Sequence, residues 1–237
     1  MWSYVGTSGW IYQWNEGNSL DWYVAESGLN AVELNSSFYR FPSPNQVKAW
    51  ASKGKSLAWS IKVNQLITHR FKLNRNSYDA FSRFLRLFHP LESNIKFYLF
   101  QFPPILTPNS IENIEKFANK FPLQEKFALE VRNIKWFNPE VYKRIKTLGL
   151  TMVSIDAPIG TFLMKTSHYV YIRFHGRGSW YSHRYSANEL SETLTSVQKL
   201  KPHSLFAFFN NDHDMLENSR QFLSYSLSRK RKLKYMN

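Results

Sequence analysis

The stretch Ala31-Val32-Glu33-Leu34-Asn35, then Ser43-Pro44, then Ala58-Trp59-Ser60-Ile61-Lys62-Val63-Asn64, decides the fold. It reads as a short strand, a helix start and a second short strand. Both strands are nearly unbroken in apolar character, the pattern of strands buried on both faces of a parallel sheet. Between them, Ser43 stands as a capping side chain before a proline at the first helical position. Each strand ends in a polar pair two residues apart, Glu33/Asn35 and Lys62/Asn64. Side chains two apart share a face.

The same unit recurs outward from this point. Strands are expected at Tyr4–Thr7, Ala31–Leu34, Ala58–Val63, Phe97–Gln101, Phe127–Glu130, Thr151–Ile155, Tyr169–Arg173 and Leu205–Phe209. Helical spacing appears in Ser77–Phe88, through Tyr78, Phe81, Phe84, Leu85 and Phe88, and in Ile111, Ile114, Phe117, Ala118 and Phe121. Asn138-Pro139 marks another helix start, and Leu190, Leu194, Val197, Phe222 and Leu223 supply two helices near the end. Eight strand-then-helix units in 237 residues predict a (β/α)8 TIM-barrel-like domain over 1–227, with an open doubly wound sheet as the alternative. Between Asp156 and Tyr169 no helical pattern occurs, so the sixth crossover is expected to be irregular.

Composition excludes several classes. With 43% hydrophobic residues the chain is neither disordered nor fibrous. It has no cysteine, which rules out disulfides and cysteine-ligated zinc or iron–sulfur sites. It has no apolar run of membrane-spanning length, and Met1-Trp2-Ser3-Tyr4-Val5-Gly6 lacks the features of a signal peptide. A soluble cytoplasmic protein with no membrane partner is expected. The formal net charge is +14. Five of the cations, Arg229, Lys230, Arg231, Lys232 and Lys234, fall in a basic C-terminal tail (228–237) expected to be mobile; without them the body is still +9.

In such a barrel, chemistry gathers at the C-terminal ends of the strands. The polar pairs there are Glu33/Asn35, Lys62/Asn64, Glu130/Arg132, Arg173/His175 and Asn210/Asp212, joined by Gln101 and Asp156. Glu33, Glu130, Asp156 and His175 are the candidate acid–base groups. Trp10, Asn35, Tyr39, Lys62, Gln101, Arg132, Trp136, Arg173, Asn210 and Asp212 are the candidate substrate-binding groups. Aromatic faces beside Arg, Lys and Asn suit sugars and nucleobases. The loop Arg173-Phe174-His175-Gly176-Arg177-Gly178-Ser179-Trp180 carries cations and two glycines, a weak phosphate-loop signal. A self-neutralising ion-pair network is the plainer reading of the same charges. Against it stands the desolvation cost of gathering them. Metal is a variant: Glu33, Glu130, Asp156, His175, Asp212 and His213 are candidate ligands for a divalent ion, although no tight motif such as H-E-x-x-H occurs. His89, His168 and His203 read as solvated, while His69 and His183 fit either a site or a structural role. Asn211 is a candidate cap for the following turn.

The same residues carry a family resemblance. Gly6-Thr7-Ser8-Gly9-Trp10, Val32-Glu33-Leu34-Asn35-Ser36-Ser37-Phe38-Tyr39, Ile67-Thr68-His69, Gln101-Phe102-Pro103-Pro104, Glu130-Val131-Arg132, Asp156-Ala157-Pro158, Arg173-Phe174-His175-Gly176 and Phe209-Asn210-Asn211-Asp212 run in order through nearly the whole chain. In them the chain resembles the YecE-like family, domain of unknown function 72. The resemblance implies a TIM-barrel-like fold and no established reaction. The chain departs from the pattern at Glu16-Gly17-Asn18-Ser19 and at Asn133.

Three functions fit these residues. One is an enzyme acting on a phosphate-bearing sugar, a nucleotide or a nucleic-acid end, with Arg132, Arg173 and Lys62 holding the anion. The second is a non-catalytic binder of nucleic acid, suggested by charge and exposed aromatics. The third is a small-molecule sensor or scaffold that needs only the pocket. The expected partner is thus an anionic small molecule or a nucleic-acid fragment.

Overall fold

The structure is a computed structural model that describes residues 1–234, with the side chains of 229–234 left out. Among the described residues the strands are β1 Trp2–Ser8, β2 Ala31–Leu34, β3 Ala58–Lys62, β4 Ile95–Gln101, β5 Phe127–Glu130, β6 Thr151–Met152, β7 Ser154–Ala157, β8 Gly160–Phe162, β9 Tyr169–Phe174 and β10 Ser204–Phe209. β6 pairs with β5 and β7 with β9, all parallel. Val153, between them, donates its N–H to Leu129 O at 2.9 Å, so β6 and β7 act as one strand that closes the sheet. β1 lies between β2 and β10. The result is a closed barrel of eight parallel staves rather than an open sheet.

The helices are α1 Leu20–Glu26, α2 Ser36–Tyr39, α3 Pro44–Lys53, α4 Ser77–Phe88, α5 Ile111–Lys120, α6 Pro139–Thr147, α7 Ala187–Lys199 and α8 Met215–Lys234. α3 and α7 start on full capping boxes, Ser43/Gln46 and Ser186/Glu189, and Asn138 caps α6. Two short helices, α1 and α2, and a π-helical turn at Leu66–Arg70 lie beyond the expected elements. No helix among the described residues is long and apolar enough to cross a membrane. From Arg229 on, the side chains of the expected basic tail lie outside the described residues, as do residues 235–237 altogether.

The sixth crossover has no helix, as expected. It folds back as β8, antiparallel to β7, and Phe162 stacks on Phe137 at 4.0 Å. Thr166 Oγ1 accepts from Met152 N at 2.8 Å and donates to Leu150 O at 2.6 Å, which gives the returning chain backbone bonds without a helix.

Two cores result. Between strands and helices lie residues such as Val5, Val32, Trp59, Ile61, Phe100 and Leu129, facing Phe81, Phe84 and Phe88 of α4 and Ile114 and Phe117 of α5. Inside the barrel, the small residues Ala31, Ala58 and Ala128 sit opposite the large Phe97, Tyr171, Phe206 and Phe208. This interior is apolar and aromatic low in the barrel and changes to Ser8, Glu33, Lys62, Glu130 and Arg173 at its C-terminal end. β1 and β2 approach closely at Gly6, where a Cβ would stand 2.1 Å from Ala31 O.

Candidate functional site

The charged mouth is built on Arg173, the inward-facing residue before the end of β9. It is fully buried. One Nη donates to Glu33 Oε1 at 2.6 Å, and the other is bonded to Glu130 Oε2. Glu33 also accepts from Tyr171 Oη at 2.5 Å and from Ser8 Oγ at 2.7 Å. Tyr171 in turn meets Ser60 Oγ at 2.7 Å. Five strands thus share one network. Glu130 also accepts from Arg132 Nε at 3.3 Å and lies 3.2 Å from His175 Nε2.

The physical consequences follow from burial. Desolvation pushes the Glu130 carboxyl up, but Arg173, His175 and Arg132 together outweigh it and hold it well below the usual carboxylate range. Burial lowers His175 to about 4, aided by Arg173, so at neutral pH it is the uncharged imidazole. Asn210 Nδ2 lies 3.3 Å from its Nδ1, which fits an Nε2–H tautomer donating to Glu130.

Lys62 is treated differently. Its side chain is nearly buried, and its Nζ sits 4.3 Å from the centre of the Phe38 ring. Among the described residues no carboxylate pairs with it. Burial lowers its ammonium to about 7, with Arg173 and Arg132 pushing the same way and Glu130 and Glu33 opposing. His69, beside it, is lowered to about 4 by burial and by Lys62 and Arg132.

Above this network opens a cavity of about 360 Å³, lined by Tyr12, Asn35, Tyr39, Lys62, Tyr181, Asn210, Asp212 and Met215. It falls within the size of small-molecule sites, roughly 300–1,000 Å³. Arg132 stacks under the rim, 4.7 Å from the Trp180 ring and 5.8 Å from Tyr181.

Most of the expected residues therefore meet at one place: Glu33, Glu130, His175, Arg132 and Arg173 in the network, and Asn35, Tyr39, Lys62, Asn210 and Asp212 on the cavity. Gln101 lies in register with Glu130, at the buried end of β4. Three residues are elsewhere. Asp156 is in register with Phe174 and points out of the barrel, because Val153 and Ile155 take the inward positions. Its carboxylate receives Arg177 Nε at 3.1 Å and Nη2 at 2.9 Å, plus Tyr185 Oη at 3.0 Å and Thr161 Oγ1 at 3.0 Å. Trp136 is fully buried, with its indole N–H bonded to Leu106 O at 2.8 Å. Trp10 packs edge-on against Trp50 and Trp59 and borders a smaller cavity of about 160 Å³ beside the mouth.

The metal ligand set does not assemble. Arg173 occupies the cationic position between Glu33 and Glu130, Asp156 faces outward, and His213 is exposed. Among the described residues no three His, Cys, Asp or Glu side chains are grouped to hold a metal. Asn211 makes no side-chain cap; its amide bonds His183 O at 2.7 Å and Asn218 Oδ1 at 2.9 Å. His183 bonds Glu189 at 3.1 Å. Tyr171 and Ser60 were not singled out by sequence, although their position two residues before Arg173 and Lys62 puts them on the same inward face.

The family described as protein of unknown function DUF72 matches residues 1–232. The chain belongs to the DUF72 family. Its structure resembles a DUF72 protein from Thermotoga maritima MSB8 at 28% identity and a TM-score of 0.82, covering 94% of this chain and 98% of that one. A DUF72 protein from Enterococcus faecalis V583 is similar at 21% identity and a TM-score of 0.80, with 94% of each chain covered. The D-psicose 3-epimerase of Clostridium cellulolyticum H10 shares the barrel at 13% identity and a TM-score of 0.57, over 96% of this chain and 99% of that one. No curated protein matches this DUF72 chain.

Proposed function

We propose that this DUF72 protein is an enzyme acting on a compact anionic substrate, a phosphate-bearing sugar, a nucleotide or a nucleic-acid end, at the C-terminal mouth of the barrel. The observation that carries the reading is Lys62, an amine without a carboxylate partner among the described residues, bordering a cavity of about 360 Å³. A group that titrates near 7 can both give and take a proton at neutral pH. Glu33 and Glu130 act as counter-charges that fix Arg173, and Lys62 takes over the proton-transfer role. Arg132, stacked on Trp180, supplies the cation for the substrate's anionic group. Asn35 and Asn210 orient hydroxyl groups, and Tyr39 and Tyr181 give faces for a ring.

The test is conversion of a panel of sugar phosphates and nucleotides, followed by phosphorus NMR. Turnover by the wild type, lowered at least a hundredfold in Lys62→Met with the fold intact, is the expected result. Ligands that raise thermal stability without being converted would instead favour a binding protein or sensor.

A further inference from the structure

We propose that Lys62 is a nucleophile that forms an imine with the carbonyl carbon of a small anionic aldehyde or ketone. This rests on the mouth being the active site and names the substrate class: an open-chain carbonyl compound carrying phosphate or carboxylate.

Three observations converge on the amine. First, it is accessible: Lys62 is 7% exposed overall, yet it lines the cavity together with Asn35, Asn210 and three tyrosines. Second, it is unpaired among the described residues: Arg173 has taken Glu33 at 2.6 Å and Glu130, and Asp212, the carboxylate on the same cavity, forms no ion pair with it. A lysine salt-bridged to a carboxylate is held as the inert ammonium; this one has only the weaker cation–π contact with the Phe38 ring at 4.3 Å. Burial and the two arginines at the same mouth then favour the neutral amine, the form that attacks carbonyls. Third, Asn35, on the cavity wall, carries an acceptor that is closed off from solvent and has no partner among the described residues, Oδ1, which a turn of the side chain would present to the cavity. An unsatisfied buried acceptor costs roughly 1–3 kcal/mol and wants a donor. The hydroxyl of a carbinolamine, or one on the neighbouring carbon, is such a donor.

The step balances. The nitrogen lone pair of the neutral amine forms the C–N bond while the carbonyl π pair moves to oxygen, which takes a proton. The nitrogen then gives up one proton, and the hydroxyl leaves with another as water. The product is a protonated imine. Starting from the ammonium, the net change is one carbonyl compound in and one water out, with no oxidant or reductant. The iminium withdraws electrons from the next carbon, so cleavage or rearrangement beside the carbonyl is the class of reaction it serves.

The experiment is reductive trapping on the full-length protein. The wild type is incubated at pH 7 with cyanoborohydride and either glyceraldehyde 3-phosphate or glyceraldehyde, and the adducts are located by peptide mass mapping. Lys62 should be modified at least tenfold more than the average exposed lysine, and more by the phosphorylated aldehyde. Its modification should reach half its maximum near pH 7, whereas exposed lysines should keep rising about tenfold per pH unit. Adducts spread evenly over surface lysines, or an unmodified Lys62 with both aldehydes, would overturn the proposal. An unmodified Lys62 alongside Lys62-dependent turnover would leave proton transfer standing and remove only the imine. A trapped Lys62 with no turnover on any substrate would do the reverse.

Discussion

Lys62 and Arg173 stand at one barrel mouth and are solvated by the protein in opposite ways. Arg173 is clamped between Glu33 and Glu130, and its guanidinium is held even more firmly charged than in water, because the two carboxylates outweigh burial. Lys62 is left with an aromatic ring and two repelling arginines. The planar guanidinium explains the division, since its two Nη groups reach one carboxylate each and hold both at Arg173. Glu33 and Glu130 are therefore balanced by Arg173 together with Arg132, and Lys62 is left without a counter-charge of its own.

Replacing Arg173 with Met should strand two buried carboxylates. Breaking a buried pair by removing one partner costs about 3–5 kcal/mol, and here one cation serves both Glu33 and Glu130. Urea unfolding at pH 7 should show at least that loss. The sign with pH is also fixed. In the wild type Glu130 titrates well below its ordinary value, so its contribution is present above about pH 4.5 and is lost as pH falls further. In the variant that contribution is absent, so the two proteins should approach each other in stability as the solution is acidified. An equal loss at all pH values would contradict this.

Lys62 gives the opposite linkage. Its folded-state value of about 7 lies below its ordinary 10.5, so the unfolded chain binds the proton more tightly between these limits. Stability should rise with pH across that window, by about 2 kcal/mol from pH 7 to pH 9 at 1.36 kcal/mol per unit. Lys62→Met should remove this slope while keeping the wild-type fold. Denaturant titrations of both proteins at the two pH values check it, and parallel curves would show that the amine is not desolvated.

The strand ends could be read in the sequence because a parallel barrel alternates faces with period two, and Glu33, Lys62, Glu130 and Arg173 each stand an even number of residues from a small or apolar interior residue. The same rule, applied to Val153 and Ile155, sends Asp156 outward, although Asp156-Ala157-Pro158 resembles the polar strand ends elsewhere. Trp136 lies away from the mouth for a different reason. Position after a strand says nothing about whether an indole turns toward the mouth or toward the helices, and the partner that settles it, Leu106 O, is 30 residues away. α1 lacks a long apolar stripe, spans seven residues and is stabilised by the Ser19 cap and by Tyr23, whose hydroxyl donates to Ala31 O at 2.9 Å.

Asp156→Asn should act on the loop after β9 rather than on chemistry. Asn keeps one oxygen for Tyr185 or Arg177 but loses the charge that draws Nε and Nη2 together. Arg177 is partly exposed and keeps Glu189 at 3.5 Å, so the loss should be smaller than at Arg173, about 2 kcal/mol. Because Arg177 anchors the segment that carries Trp180 and Tyr181, hydrogen exchange over residues 176–183 should accelerate while β9 stays protected. Unaltered exchange there would mean that the loop is held by other contacts.

Two glycines offer a matched test of why the first two strands can lie side by side. At Gly6 an added Cβ would stand 2.1 Å from Ala31 O and 2.5 Å from Ala31 C, both backbone atoms of the neighbouring strand. Neither can yield without breaking the β1–β2 register, in which Gly6 faces Ala31. At Gly28 the backbone has φ +70° but nothing lies within 4 Å of the same added atom. Gly28→Ala should thus cost only the left-handed penalty, roughly 1–2 kcal/mol. Gly6→Ala should cost well over 3 kcal/mol, because a core clash adds to a displaced ladder. Thermal unfolding of the two variants should rank them in that order by a wide margin. If Gly6→Ala were the milder change, the strands could separate freely at this point, and the close approach of β1 and β2 would not be what sets Ser8 and Glu33 at their 2.7 Å hydrogen bond.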